Sequence, residues 1–141
     1  MRIWDIDKLA KKGGLIPLVR EMPADLDTPI SAYLKLSEKP PSFMLESVEG
    51  GERLGRYSFI GFEPEEVIKG RGNPIPILRE KMRRAVKIEG LPRFSGGFVG
   101  YISYEVASYF EDIPVPEKDP LSLPEYYFLL VKDMVVFDHV T

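Results

Sequence analysis

Short apolar runs, separated by polar stretches rich in glycine and proline, set the pattern of the chain. Residues 14–22, "GLIPLVREM", mix β-branched positions with a proline and predict an edge strand, because proline cannot donate to a ladder. "DTPISAYLKL" predicts a helix. Asp27 or Thr28 can cap it, and Pro29 suits a first turn, where the missing N–H costs nothing. Ile30, Tyr33 and Leu34 then fall on one apolar face at i, i+3, i+4. Two strand-like runs follow, residues 43–45 and 57–62, and the second continues past Pro64 into "EEVIKG". "PILREKMRRAVKI" predicts a second helix with Ile77, Met82, Ala85 and Val86 facing inward. "GGFVGYISYEVASYF" reads as a strand turning into a short helix near Tyr104. The four prolines of "EDIPVPEKDPLSLP" argue for an extended loop. "EYYFLLVKDMVVFDHVT" reads as two strands about a tight "KD" turn.

These elements give an α+β fold of antiparallel sheets with a few helices. Phe98, Tyr101, Tyr127, Phe128, Leu130, Val135 and Phe137 are its expected core. The last run, "MVVFDHV", has the pattern of a strand that needs a neighbour, and an unpaired edge invites aggregation. It is therefore expected to belong to a longer protein.

Composition narrows the class. With 141 residues the chain fits one modest domain, and at 44% hydrophobic it can bury a core. Nineteen basic and 22 acidic residues leave a net charge of -3, with no basic footprint for a nucleic acid. There are no cysteines, which excludes disulfides, thiolate metal sites and cysteine nucleophiles. No apolar stretch approaches the ~20 residues of a membrane span, and "MRIWDIDKLAKKGG" lacks the apolar segment of a signal peptide. A soluble, cytoplasmic protein is expected.

Candidate chemistry is sparse. "GGFVG" has neither the G-x-G-x-x-G order nor the G-K-[ST] ending of a phosphate loop, so its glycines are read as permitting close strand packing. His139 stands alone, without a second histidine at ligand spacing. "EPEEV" and "REKMRR" read as solvated faces. Glu46 and Ser47 differ, since they close the run 43–45 where it meets a loop. A carboxylate there can receive an ammonium, a hydroxyl can bond a carboxylate or N–H, and Arg56 beyond the loop can offer its guanidinium to a carboxylate. On chemistry alone a merely polar strand end is the stronger reading.

Three stretches carry more. "TPISAYLKL", "FMLESVEGGERLGRYSFIGFEP" and "LPRFSGGFVGYISYEVASYFED" occur in an order that resembles the N-terminal region of anthranilate synthase component I. The match runs from about Leu15 to Asp138, which makes residues 1–141 that region and leaves the catalytic region outside it. The resemblance implies a lyase of tryptophan biosynthesis that converts chorismate and ammonia to anthranilate and pyruvate with Mg²⁺. The ammonia would come from glutamine through a partner glutamine amidotransferase subunit. It further implies feedback by L-tryptophan at the "LES" segment, with Ser47 as a binding residue and Glu46, Pro29 and, approximately, Arg56 beside it. No catalytic residue and no metal ligand can be carried onto this chain. "GGFVGYISYE" is shared with the large component of aminodeoxychorismate synthase in folate synthesis, while the "LES" form favours the anthranilate enzyme. A stand-alone amino-acid-binding regulatory domain is the alternative from another class.

Overall fold

A computed structural model describes residues 17–46, 55–83, 90–115 and 119–140. Helix α1, Pro29–Leu36, starts where the capping chemistry places it. Thr28 accepts from the Ser31 backbone N–H and Ser31 returns the bond to the Thr28 N–H, a reciprocal box that satisfies two orphan donors. Asp27 accepts from Ser31 Oγ and pairs with Lys35 at 2.6 Å. That pairing holds the Asp27 carboxyl below its ordinary range. The expected apolar face is only partly covered. Tyr33 is half-buried with its hydroxyl 3.0 Å from Ser42 Oγ, while Ile30 and Leu34 are exposed. Helix α1 packs against the second strand.

Six strands follow: β1 Phe43–Glu46, β2 Tyr57–Gly61, β3 Glu66–Gly70, β4 Gly97–Ile102, β5 Tyr126–Val131 and β6 Met134–Asp138. They form two antiparallel sheets, ordered β1-β2-β6 and β3-β5-β4. Helix α2, Ile75–Met82, follows β3, and a 3₁₀ helix, Tyr104–Tyr109, follows β4. The α+β architecture expected from the pattern is thus present.

The tight hairpin expected at "KD" is not. Lys132 and Asp133 carry the chain from one sheet into the other, and β5 and β6 do not pair. The register explains why. β2 runs antiparallel to β6 from Tyr57↔Asp138 to Gly61↔Met134, and β3 runs antiparallel to β5 from Glu66↔Leu130 to Gly70↔Tyr126. Residues 62–65 separate the ladders on one side and residues 131–133 on the other, so the sides differ by one residue. One long antiparallel pair therefore bends at a corner and contributes to both sheets, with a bulge-like extra residue at the bend. The Glu65 N–H to Leu130 carbonyl bond, 3.0 Å, and the Lys132–Glu65 ion pair lie at this corner.

Strand β5 is central in its sheet, and its consecutive residues Phe128 and Leu129 are both buried, so both faces are covered. The buried apolar residues are Ile60, Ile68, Val106, Phe128, Leu129 and Val131. Of the expected core only Phe128 is among them. Tyr101 is 42% exposed, stacked on Tyr127 across the register, and Phe98, Leu130, Val135 and Phe137 are half-buried. Tyr127 and Leu130 lie on the central β5 and are still only half-buried, so a hydrophobic run on a central strand does not bury every residue in it. A second cluster joins Phe43, Phe59 and Phe94, with Phe94 edge-on to both partners.

Gly100 bears out the close-packing reading of "GGFVG". It lies opposite Phe128, and a Cβ there would sit 1.9 Å from the Tyr127 carbonyl oxygen and 2.7 Å from Phe128 Cα. Both are backbone atoms that cannot swing aside, so only glycine lets β4 approach β5 this closely.

The proline-rich stretch runs without regular structure where it is described and is fastened at its end. Arg71 reaches Asp119 at 2.8 Å, while Glu125 accepts from the Gly72 N–H at 2.7 Å and from the Tyr109 hydroxyl at 3.0 Å. Two expectations need shortening. In residues 17–22 only a single bridge at Val19 forms, because Pro17 removes a donor and Leu18 and Met22 lie exposed. Residues 14–16 lie outside the described part. The second helix is regular only to Met82, with Ile77 and Met82 exposed, and Ala85 and Val86 lie outside the described residues.

Phe128, 8% exposed, makes an edge contact with Phe98 at 6.2 Å. Phe128→Ala is expected to cost about 3–5 kcal/mol in a urea melt. A loss below about 1 kcal/mol would show that the ring is not enclosed.

Candidate functional site

Strand β2 reads "YSFIG", and one serine interrupts its apolar run. Ser58 is 2% exposed and needs partners, since an unbonded buried hydroxyl is costly. The register supplies them. Ser58 faces Glu46 on β1 and Phe137 on β6. Its hydroxyl donates to Glu46 Oε1 at 3.2 Å, and its Oγ lies 2.7 Å from His139 Nε2. The hydroxyl has one hydrogen, and the ionised Glu46 carboxylate can only accept it. Ser58 must then accept from the imidazole, which places a hydrogen on His139 Nε2.

Arg56 enters the same end of the sheet two residues before Ser58. Its Nε and Nη2 donate to Asp138 Oδ1 and Oδ2 at 2.9 and 2.7 Å, a two-bond fork. The guanidinium carbon lies 4.9 Å over the Tyr57 ring. Behind this, the His139 N–H donates to the Arg56 carbonyl at 2.8 Å, extending the β2–β6 ladder by one bond. Asp138 Oδ1 also accepts from the Val140 N–H at 3.1 Å. Pairing with Asp138 raises the Arg56 pKa, so the group stays cationic. Two of the five guanidinium N–H bonds go to Asp138, and three are left to meet another acceptor.

Of the residues singled out in the sequence, the structure brings Glu46 and Arg56 to one end of the β1-β2-β6 sheet. Pro29 opens α1 and lies outside this hydrogen-bond network, although the helix packs on β2. Ser47 follows Glu46 directly and lies outside the described residues. Ser58, Asp138 and His139 are participants that spacing did not suggest. His139 was set aside for want of a second histidine, but its partner is a serine 81 residues away in sequence.

The serine, the histidine and a carboxylate invite comparison with a hydrolytic triad, and the order of bonds rules it out. Glu46 bonds the serine rather than orienting the imidazole, and Ser58 is too buried to attack a substrate. An exposed carboxylate and a cation at one sheet end match the two charges of an amino-acid zwitterion. Among the described residues no three His, Cys, Asp or Glu side chains gather as a metal ion requires, so the Mg²⁺ implied by the resemblance finds no donor set here. No helix among the described residues is long and apolar enough to cross a membrane.

Known proteins place this α+β chain. It is 46% identical over 142 residues to probable anthranilate synthase component 1 of Schizosaccharomyces pombe, an alignment covering 95% of this chain and 29% of the relative. Anthranilate synthase component 1 of Acetivibrio thermocellus is 34% identical over 155 residues, covering 96% of this chain and 31% of the relative. The Streptomyces coelicolor protein of the same name is 40% identical over 135 residues, 94% of this chain and 26% of its own length. A crystal structure of anthranilate synthase component I from Streptococcus pneumoniae superposes with a TM-score of 0.53 at 27% identity, covering 88% of this chain and 30% of that one. No protein-family model matches. The resemblance to anthranilate synthase component I read from the three motifs thus holds over nearly the whole chain. The chain spans about three-tenths of the length of the relatives it matches.

The hydrogen count at Ser58 gives a direct expectation. In the neutral imidazole, ¹⁵N spectra should show the His139 proton on Nε2. A proton on Nδ1 alone would mean that Ser58 does not donate to Glu46.

Proposed function

We propose that these residues form part of an anthranilate synthase component I and supply one wall of its site for L-tryptophan. The observation that carries this is the kinship with proteins of that name along nine-tenths or more of the chain. In the intact enzyme, chorismate would lose its enolpyruvyl group as pyruvate and take ammonia on the ring. A partner glutamine amidotransferase subunit would deliver the ammonia from glutamine. Mg²⁺ would assist as a Lewis acid at a site supplied from elsewhere, and no step of that chemistry is assigned to residues of this chain.

The role assigned here is regulatory. Glu46 would accept the ammonium of free tryptophan, Arg56 and Ser47 would meet its carboxylate, and Pro29 would contribute an apolar contact. Tryptophan would inhibit by favouring a conformation that binds chorismate poorly, which requires unequal affinity for the two states. The enzyme would work in the cytoplasm.

Two outcomes follow. The 141-residue chain, given chorismate, Mg²⁺ and ammonium, should release no fluorescent anthranilate above a buffer blank, and turnover would overturn the regulatory assignment. In the full-length enzyme, Ser47→Ala should raise the tryptophan inhibition constant roughly tenfold to a hundredfold, the loss of one hydydrogen-bonded contact worth ~1–3 kcal/mol. Ser47→Phe should abolish inhibition by filling the site. Full tryptophan sensitivity in Ser47→Phe would defeat the feedback reading, and an aminodeoxychorismate product would point to the folate-pathway relative.

A further inference from the structure

We infer that Ser58 and His139 are positioning residues that hold the Glu46 carboxylate in place for the ammonium group of the amino-acid ligand. The inference rests on reading this strand end as an amino-acid site, and it reaches residues that neither the motifs nor the relatives' names single out.

Three observations carry it. Ser58 is almost fully buried, yet it occupies a strand position where an apolar residue would pack with no need of partners. Its hydroxyl is fixed from one side by His139 Nε2 at 2.7 Å and presented to Glu46 Oε1 at 3.2 Å on the other. Glu46 itself is exposed, so without this bond its carboxylate would sample several rotamers in water. The relay thus crosses all three strands of the sheet, from β6 through β2 to β1.

The same strand end fixes the other pole. Asp138, the neighbour of His139, grips Arg56 through two bonds. Two adjacent residues of β6 and its extension therefore aim one anion and one cation, and the separation of these two charges is set before any ligand arrives. Preorganisation of this kind favours binding because the ordering cost is met in folding.

The chemistry of the relay names its own test. A residue that positions a carboxylate for an ammonium should matter only to ligands that carry one. Inhibition of the full-length enzyme by L-tryptophan is compared with inhibition by indole-3-propionate, which keeps the indole and carboxylate and lacks the ammonium. Each variant is referred to its own uninhibited rate. Ser58→Ala and His139→Leu should cut the preference for tryptophan about tenfold, while His139→Gln, which retains an N–H donor, should restore most of it. Equal losses for both ligands would signal general distortion and overturn the positioning role. An unchanged preference in Ser58→Ala and His139→Leu, with inhibition abolished in Ser47→Phe, would overturn this inference and leave the feedback reading standing. A wild-type enzyme indifferent to tryptophan would remove both.

Discussion

The antiparallel ladder that passes through the corner, from Tyr57↔Asp138 to Gly70↔Tyr126, is the constraint on which the rest of the chain depends. It joins residues around 57–70 to residues around 126–138, so the two sheets cannot form independently. Everything else attaches to it. β1 adds to one flank through β2, β4 adds to the other through β5, and α1 lies against β2. The single extra residue at the bend lets one pair of strands serve both sheets without a break in chain direction. The buried residues Ile60, Ile68, Phe128, Leu129 and Val131 all lie on this pair.

The polar strand end follows from the same register. Pairing Tyr57 with Asp138 sets Arg56 beside the end of β6, and pairing Ser58 with Glu46 sets the hydroxyl beneath the carboxylate. The Arg56–Asp138 bonds add little to stability. Arg56 and Asp138 are part-exposed, and water screens an ion pair in contact with it. What they contribute is geometry. A two-bond fork fixes the plane of a guanidinium, and a hydroxyl wedged between an imidazole and a carboxylate fixes both.

The sequence disclosed the parts governed by local chemistry. Thr28, Pro29 and Ser31 announced the start of α1, and alternation marked the strands to within a residue or two. The packing role of Gly100 in "GGFVG" was legible because no phosphate-loop order was present, whereas Gly96 and Gly97 serve a left-handed backbone, with φ of 123° and 124°. What sequence could not disclose was pairing. "KD" between two apolar runs has the look of a hairpin turn, yet the runs belong to different sheets, because partners distant in sequence, as with Gly70↔Tyr126 and Tyr57↔Asp138, offer a longer continuous ladder. Burial within a strand was not legible either. Tyr101 and Phe137 lie on edge strands, while Tyr127 and Leu130 share the central β5 with Phe128 and are still only half-buried. At the site, Glu46 and Arg56 were visible beside a family motif, whereas Ser58, Asp138 and His139 became meaningful only once the register set them together.

The position of β6 at the far end of the sequence adds a final consequence. The anion on β1 and the cation before β2 are close in sequence, but Asp138, which grips Arg56, lies 82 positions later, and His139 lies 81 positions after the serine that bonds Glu46. A half-formed sheet of β1 and β2 alone would carry both charges without gripping the cation or anchoring the serine. A ligand that needs both in register would bind only the completed three-stranded sheet, and by linkage its binding would favour that sheet over any state in which β6 is displaced. On the reading proposed above, the β1-β2-β6 sheet would be the element whose completeness such a ligand reports. That would give the small molecule a handle on the β2–β6 ladder, and through the bend, on β3 and β5 as well. A signal arriving at one strand end can in this way reach the opposite sheet without a separate pathway, because the two sheets share their backbone.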